Sequence, residues 1–193
     1  MSASEMPPGW RLLGSQTLCD TDHLKVYQER VATPSRPDGV EWTVARRRTA
    51  AVVAPRTPEG KYILVRQERV AVRRVLWEFP AGQVDENELS EAAIRETALR
   101  ELGEEAGVHT ATALTALGYF YSSAGFTDEC AHLFLATDVV PREDGSKHDE
   151  HEAIVDVRAF SVEELGEMIT SNEIVDANTL SLYARLSAHG LLH

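Results

Sequence analysis

The sequence predicts an α+β fold built on a mixed or antiparallel sheet, and three observations carry that expectation. Segments of strand character outnumber helical ones. Helical periodicity appears in only three segments, one central and two near the end. The two kinds do not alternate in the strict order that a doubly wound parallel sheet requires.

Leu24 to Arg48, LKVYQERVATPSRPDGVEWTVARRR, reads as two strands around a polar Pro/Asp/Gly turn. The apolar run Ala50 to Pro55 (AAVVAP) leads through RTPEGK into YILVRQERV, so these two strands are expected to form a hairpin. Val75 to Gly82 (VLWEFPAG) reads as one further strand ending in a Pro-Ala-Gly break. Ser90 to Ala106 has helical spacing, with Ala93, Ile94, Ala98, Leu99 and Leu102 near one face. Ser90 is its predicted N-cap. Gly107 is its predicted stop, because glycine tolerates left-handed backbone.

Strands are then expected at LGYFYS, AHLFLATDVV and AIVDVRAF, with the acidic stretch Pro141 to Glu152 between the last two. SVEELGEMITS is an amphipathic helix with Ser161 as cap and Glu164 completing a capping box. DANTLSLYARLSAHG makes a final helix that Gly190 ends. A boundary near Arg48 separates an N-terminal β-rich subdomain, residues 1–48, from a larger domain, residues 49–193. No internal repeat or low-complexity tract interrupts this plan.

At 193 residues the chain can bury one sizeable core. Its net charge of -12, from 31 acidic and 19 basic residues, argues against binding nucleic acid or an anionic membrane surface. A small phosphate-containing ligand stays compatible with that charge where a divalent cation reverses it locally. Cys19 and Cys130 are too few for a disulfide framework and read as reduced thiols in a cytoplasmic protein. The start MSASEMPPGWRLLG lacks a signal-peptide core, and no apolar run approaches the roughly 20 residues of a membrane span. The expectation is a soluble, intracellular protein.

The chemistry concentrates in LRELGEEAGV, Leu99 to Val108. On a helix Glu101, Glu104 and Glu105 project from one side at i, i+3 and i+4, where uncompensated like charges repel. Such a face is either solvated or neutralised by a cation, and hard divalent ions such as Mg²⁺ prefer oxygen ligands. Arg100 can pair with Glu104 one turn on.

EFPAG (Glu78 to Gly82), then Glu88, then RELGEEAGV resembles the Nudix hydrolase signature, G-x5-E-x7-R-E-U-x-E-E-x-G-U with U apolar. Gly82 and Glu88 match its first half, and Arg100 to Val108 match its second half at every fixed position. Eleven residues separate Glu88 from Arg100 where the family has seven, leaving Ile94 to Thr97 as an extra four. Four helical residues turn the chain about 400° and shift Glu88 about 6 Å along the axis. The family's carboxylate at that position supports the arginine, a role for which Glu91 is the candidate replacement. The stretches VRQERVAVRRVLWEFPAGQVD, GYFYSSAGFTDECAHLFLATDV and IVDANTLSLYARL extend the resemblance to ADP-ribose pyrophosphatases.

The resemblance implies a Nudix α/β/α sandwich with an N-terminal antiparallel β subdomain, exchanged across a homodimer. It implies hydrolysis of a nucleoside diphosphate linked to another group, most simply ADP-ribose, with Mg²⁺ as cofactor and Mn²⁺ able to substitute. By position, Glu101 and Glu105 are the expected metal ligands. Glu104 is a ligand or supporting partner, the Ala81 carbonyl a backbone ligand, and Arg100 the residue that orients the carboxylates. Metal-bound glutamates cannot easily also deprotonate water. In the resembling enzymes the base comes from an acidic loop, where Glu150 and then Glu152 fall here, with His148 and His151 nearby. Arg69 matches an arginine that packs on adenine. Trp42 and Arg46, contributed by the second copy of the homodimer, are candidates for the other side of the nucleotide, although burial is the simpler expectation for Trp42. Phe126 and Glu129 match the family's substrate loop, whereas Ser122 and Ala124 stand where its prolines would. Another sugar nucleotide, with a UDP or GDP group, is the alternative substrate. A non-catalytic ligand sensor is the alternative from a different class.

Overall fold

The computed structural model describes residues 6–22, 24–85, 89–143 and 153–192. They fall into two compact units, one within residues 1–49 and 121–130, the other within 50–120 and 131–193. The segment 121–130 therefore groups with the N-terminal strands and interrupts the larger domain expected from residue 49 onward.

The first unit is an antiparallel meander of β1 (Arg11–Asp20), β2 (Lys25–Thr33) and β3 (Arg36–Arg46). The expectation missed β1. Its pairing with β2 shifts register between Leu12 and Gly14 and again between Thr17 and Cys19, so the period of two that marks a strand is broken twice. The β2–β3 turn is also displaced: it falls at Pro34 and Ser35, where the Arg36 amide donates to Thr33 Oγ1 at 3.1 Å. Pro37, Asp38 and Gly39 instead open β3. The segment 121–130 joins this unit through the Ala45 amide, which donates to the Phe126 carbonyl at 2.7 Å.

In the second unit, β4 (Ala50–Pro55), β7 (Ala81–Gln83), β9 (Thr115–Tyr121) and β10 (Cys130–Ala136) form a sheet in the order β7-β4-β10-β9. A second sheet has the order β12-β5-β6, from β5 (Tyr62–Arg69), β6 (Arg74–Glu78) and β12 (Ile154–Phe160). A short pair joins β8 (Val108–His109) to β11 (Val140–Pro141). β4 runs parallel to β10 and antiparallel to β7, so the sheet is mixed, as predicted.

Two expectations about these strands are corrected. β4 and β5 do not form a hairpin: after a single bridge between Arg56 and Tyr62 they part into different sheets. Each is apolar on both faces and becomes the middle of its own set of neighbours. VLWEFPAG is likewise two strands, β6 and β7, not one. Pro80 has no N–H with which to continue a ladder, and its carbonyl accepts from the Val53 amide at 3.0 Å.

Strand alternation sorts the core into two layers. Val52, Ala54, Tyr62, Leu64, Leu133 and Leu135 pack with Leu165 of α2 (Val162–Thr170) and Leu182 and Leu186 of α3 (Ala177–Ala188). Their neighbours Ala51, Val53, Ile63, Val65 and Phe134 pack with Ile94, Ala98 and Leu102 of α1 (Glu91–Glu104). Helices thus cover both faces, which is the predicted sandwich. Ser161 caps α2 in the predicted capping box, and Gly190 follows α3 with a φ of 65°.

Helix α1 begins as the sequence indicates, with Ser90 Oγ accepting from the Ala93 amide at 3.1 Å. The inserted Ile94 to Thr97 lie inside the helix. Ile94 and Ala98 are buried in line with Leu102, so the extra turn keeps the apolar stripe in register. The last turn closes at Glu105, whose amide donates to the Glu101 carbonyl at 3.0 Å. Gly107, two residues beyond, takes a φ of 64°.

Candidate functional site

Five consecutive residues, Glu78 to Gly82, are each fastened to a different part of the second unit. Glu78 binds Arg69 of β5, and the Phe79 amide donates to Thr179 Oγ1 of α3 at 3.0 Å. Pro80 holds β4 through Val53. The Ala81 amide donates to Glu105 Oε2 at 2.9 Å, just past the end of α1. Gly82 lies against Glu101 so closely that an added Cβ would stand 1.7 Å from Oε1. Glycine is required there by the approach of the carboxylate, not by its own backbone angles.

The segment therefore presents a short strand to two carboxylates, Glu101 and Glu105, each only 1% exposed. Glu101, Glu104 and Glu105 share one side of α1 as their spacing predicts. Arg100 lies across them, with Nη2 at 2.6 Å from Glu101 Oε1 and Nη1 on Glu104 Oε2. As the side chains stand, no group of three or more His, Cys, Asp or Glu is gathered for a metal among the described residues. The donor set still suits a hard divalent cation: two buried carboxylates, a third partly exposed, and the backbone of Ala81 beside them. Buried like charges at this spacing are costly, a cost that Arg100 and the Ala81 amide offset in part and a divalent cation would offset further.

Glu88 lies outside the described residues, as do Glu150, Glu152, His148 and His151. Glu91 does not replace Glu88. It pairs with Arg95 one turn on, at 3.1 Å, and nine helical residues place it about 13.5 Å along the axis from Arg100.

Arg69 is no free surface residue. Its Nε and Nη2 donate to the two oxygens of Glu78 at 2.9 and 2.5 Å, and Glu78 is 1% exposed. The hydrogen bonds to Glu78 hold the Arg69 guanidinium above its ordinary pKa, with the charges of Asp176 and Glu105 contributing. Burial pushes the Glu78 carboxyl up, and Arg69 opposes that shift. Sequence reading assigns no role to Glu78, Asp176 or Thr179. The Glu78–Arg69 and Phe79–Thr179 contacts join β5, β6 and α3 over separations that no local pattern encodes, whereas the Asp176–Thr179 contact is an N-cap that the start of the last helix could have signalled.

Trp42, Arg46, Phe126 and Glu129 all belong to the first unit. Trp42 is about half exposed, contrary to the burial expected of it, and its Nε1 donates to the Gly125 carbonyl at 2.6 Å. Arg46 binds both Glu29 and Asp128 at 2.8 Å. Burial opposes its charge, but the hydrogen bonds to Asp128 and Glu29 outweigh it and raise its pKa. Glu129 accepts from Arg47 Nε at 2.8 Å and from Ser122 Oγ at 2.6 Å. Phe126 is exposed.

Comparison with known proteins agrees with this geometry. A family model described as NUDIX domain matches residues 45–183. An ADP-ribose pyrophosphatase of Bacillus subtilis (strain 168) is 38% identical over 156 residues, covering 81% of this chain and 80% of its own. A methanol dehydrogenase activator of Bacillus methanolicus is 33% identical over 137 residues, covering 71% of each. A solved structure described as an ADP compounds hydrolase superposes with a TM-score of 0.74 at 20% identity, over 97% of this chain and 100% of that one, and so bears on the fold.

Proposed function

Since this chain belongs to the Nudix domain family and is a Nudix hydrolase, we propose that it hydrolyses ADP-ribose to AMP and ribose 5-phosphate. We infer further that it works as a cytoplasmic homodimer with Mg²⁺, which Mn²⁺ can replace. The observation that carries the reading is the pair of buried carboxylates, Glu101 and Glu105, closed against Ala81 and Gly82. The substrate is supported by the name of the Bacillus subtilis relative, and by a Mycobacterium tuberculosis ADP-ribose pyrophosphatase 30% identical over 143 residues. Both cysteines are free, in keeping with a reducing compartment.

In this reading Glu101, Glu105, Glu104 and the Ala81 carbonyl would hold the cation. When bound, it neutralises phosphate oxygens and lowers the pKa of water. Arg100 keeps Glu101 and Glu104 oriented. Water oxygen bonds to one phosphorus, the bond from that phosphorus to the bridging oxygen breaks, and the bridging oxygen leaves with the other phosphate. Glu150 is assigned the water proton on sequence, with Glu152 next. Arg69 is assigned to one side of the adenosine, with Trp42 and Arg46 supplied to the other side by the second copy of the homodimer; Phe126 and Glu129 are assigned to the substrate on the family's pattern.

One observation favours a second reading. Ser122, whose hydroxyl donates to Glu129, stands where resembling enzymes have a proline associated with ADP-ribose preference. A UDP- or GDP-sugar would then be the substrate.

The test is phosphate release, coupled to a phosphatase, from ADP-ribose, UDP-glucose and GDP-mannose with Mg²⁺ or Mn²⁺. ADP-ribose is expected to lead, and Glu105→Gln to lose nearly all turnover while keeping a cooperative melt. Equal turnover by Glu105→Gln would remove the metal assignment. Inactivity on every substrate would favour the ligand-sensor alternative.

A further inference from the structure

The joint between β6 and β7 is pinned by α3. Thr179 Oγ1 accepts from the Phe79 amide at 3.0 Å and donates to Asp176 Oδ2 at 2.8 Å. The same Asp176 oxygen accepts from the Thr179 amide at 2.8 Å, because Asp176 is the N-cap of α3. A hydroxyl has a single O–H. With that donor engaged by Asp176, the lone pairs of Thr179 are left for the Phe79 amide. Phe79 and Thr179 are each 1% exposed, so no solvent replaces this contact.

The position of the contact along the chain gives it leverage. Pro80 carries no N–H, so the Phe79 amide is the last backbone donor before Ala81, whose own amide meets Glu105. We propose that Thr179, oriented by Asp176, is a positioning residue for the carboxylate face of α1. It fixes where β7 starts, and so where Ala81 and Gly82 meet Glu105 and Glu101. The inference rests on the reading that these glutamates hold a divalent cation. Direct partners of metal ligands commonly set affinity, and Thr179 would act on such a partner, the Ala81 amide, through the two intervening peptide units. Loss of the hydroxyl leaves a buried amide unsatisfied, and the joint is then free to move toward another acceptor.

The test uses the full chain and Mn²⁺, with free Mn²⁺ read by electron paramagnetic resonance in the absence of substrate. Thr179→Val keeps the shape and removes the hydroxyl; Thr179→Ser keeps the hydroxyl. Thr179→Val is expected to weaken Mn²⁺ binding by about tenfold or more. Its kcat should fall, and its KM for ADP-ribose should change less than about twofold. Thr179→Ser should restore both binding and kcat. A folded valine variant that binds Mn²⁺ like the wild type overturns the proposal. So does a serine variant that fails to rescue, or a change confined to KM. Should the valine variant not melt cooperatively, Thr179→Ala removes the same hydroxyl and carries the same readouts. A wild type that binds Mn²⁺ but leaves ADP-ribose intact would overturn the substrate assignment and leave this comparison decisive. A wild type that binds no Mn²⁺ would overturn both.

Discussion

Gly82 has no room for a side chain, since a Cβ there would meet Glu101 Oε1, Cδ and Cγ at 1.7, 2.2 and 2.8 Å. Gly82→Ala should therefore displace the Glu101 carboxylate while the two core layers stay packed. Mn²⁺ titration is expected to register a loss of about tenfold or more, with the melting transition still cooperative. Unaltered binding would mean that Glu101 is not a ligand. The glutamates were legible in the sequence because helical spacing places them on one side and the surrounding residues match the Nudix signature. Their burial, and their closure against β7, were not legible, since both depend on a strand folding back onto the helix. His132 supports a different prediction. Burial lowers its pKa from the ordinary 6.5, and its ring lies 5.7 Å from that of Tyr119. The folded state therefore resists protonation that the unfolded chain accepts. As pH falls through about 6.5 the unfolded state binds more protons, and stability declines. His132→Gln should lose less of its urea midpoint than the wild type between about pH 8 and pH 5. An equal loss in both would assign the acid sensitivity to other groups.

At the scale of the element, α1 is the best test of what the insertion does. Ile94 begins the extra turn and is 7% exposed, in line with Ala98 and Leu102. Ile94→Ala should cost about 2–5 kcal/mol in urea unfolding, as buried truncations do. Mn²⁺ affinity should stay near the wild-type value, because Ile94 is about 10 Å along the axis from Glu101. Weakened metal binding at unchanged stability would refute the view of the insertion as a structural turn. Helices were the most legible elements: Ser90, Ser161 and Asp176 all act as caps, the first two as foreseen. Strand pairing was harder to read. AAVVAP and YILVRQERV are each apolar enough to be buried on both faces, and such runs carry no mark of which neighbour they join. The parallel partner of β4 is β10, whose residues lie some eighty positions later in the chain. RLLGSQTLCD failed as a strand signal because two register shifts spoil its alternation.

The whole molecule raises the matter of the first unit's surface. Leu12, Leu13, Leu18 and Trp42 are each about half exposed within the same three-stranded sheet, as is Trp10 just before it. Contiguous apolar exposure marks interaction surfaces, and the homodimer proposed above would be the occupant of one here. The net charge of -12 constrains what holds two copies together. Like-charged copies repel, so attraction must come from apolar burial, and added salt should screen the repulsion without weakening the contact. Light scattering should thus give a dimer mass at both low and high salt. Leu18→Glu would place a carboxylate in that contact, where desolvation opposes it, and should shift the mass toward the monomer. The same variant should leave Mn²⁺ binding intact, because Glu101, Glu105 and β7 lie wholly in the second unit. A dimer that dissociates in high salt would instead point to pairing of charges across the interface. A Leu18→Glu protein that remains dimeric would place the interface away from β1.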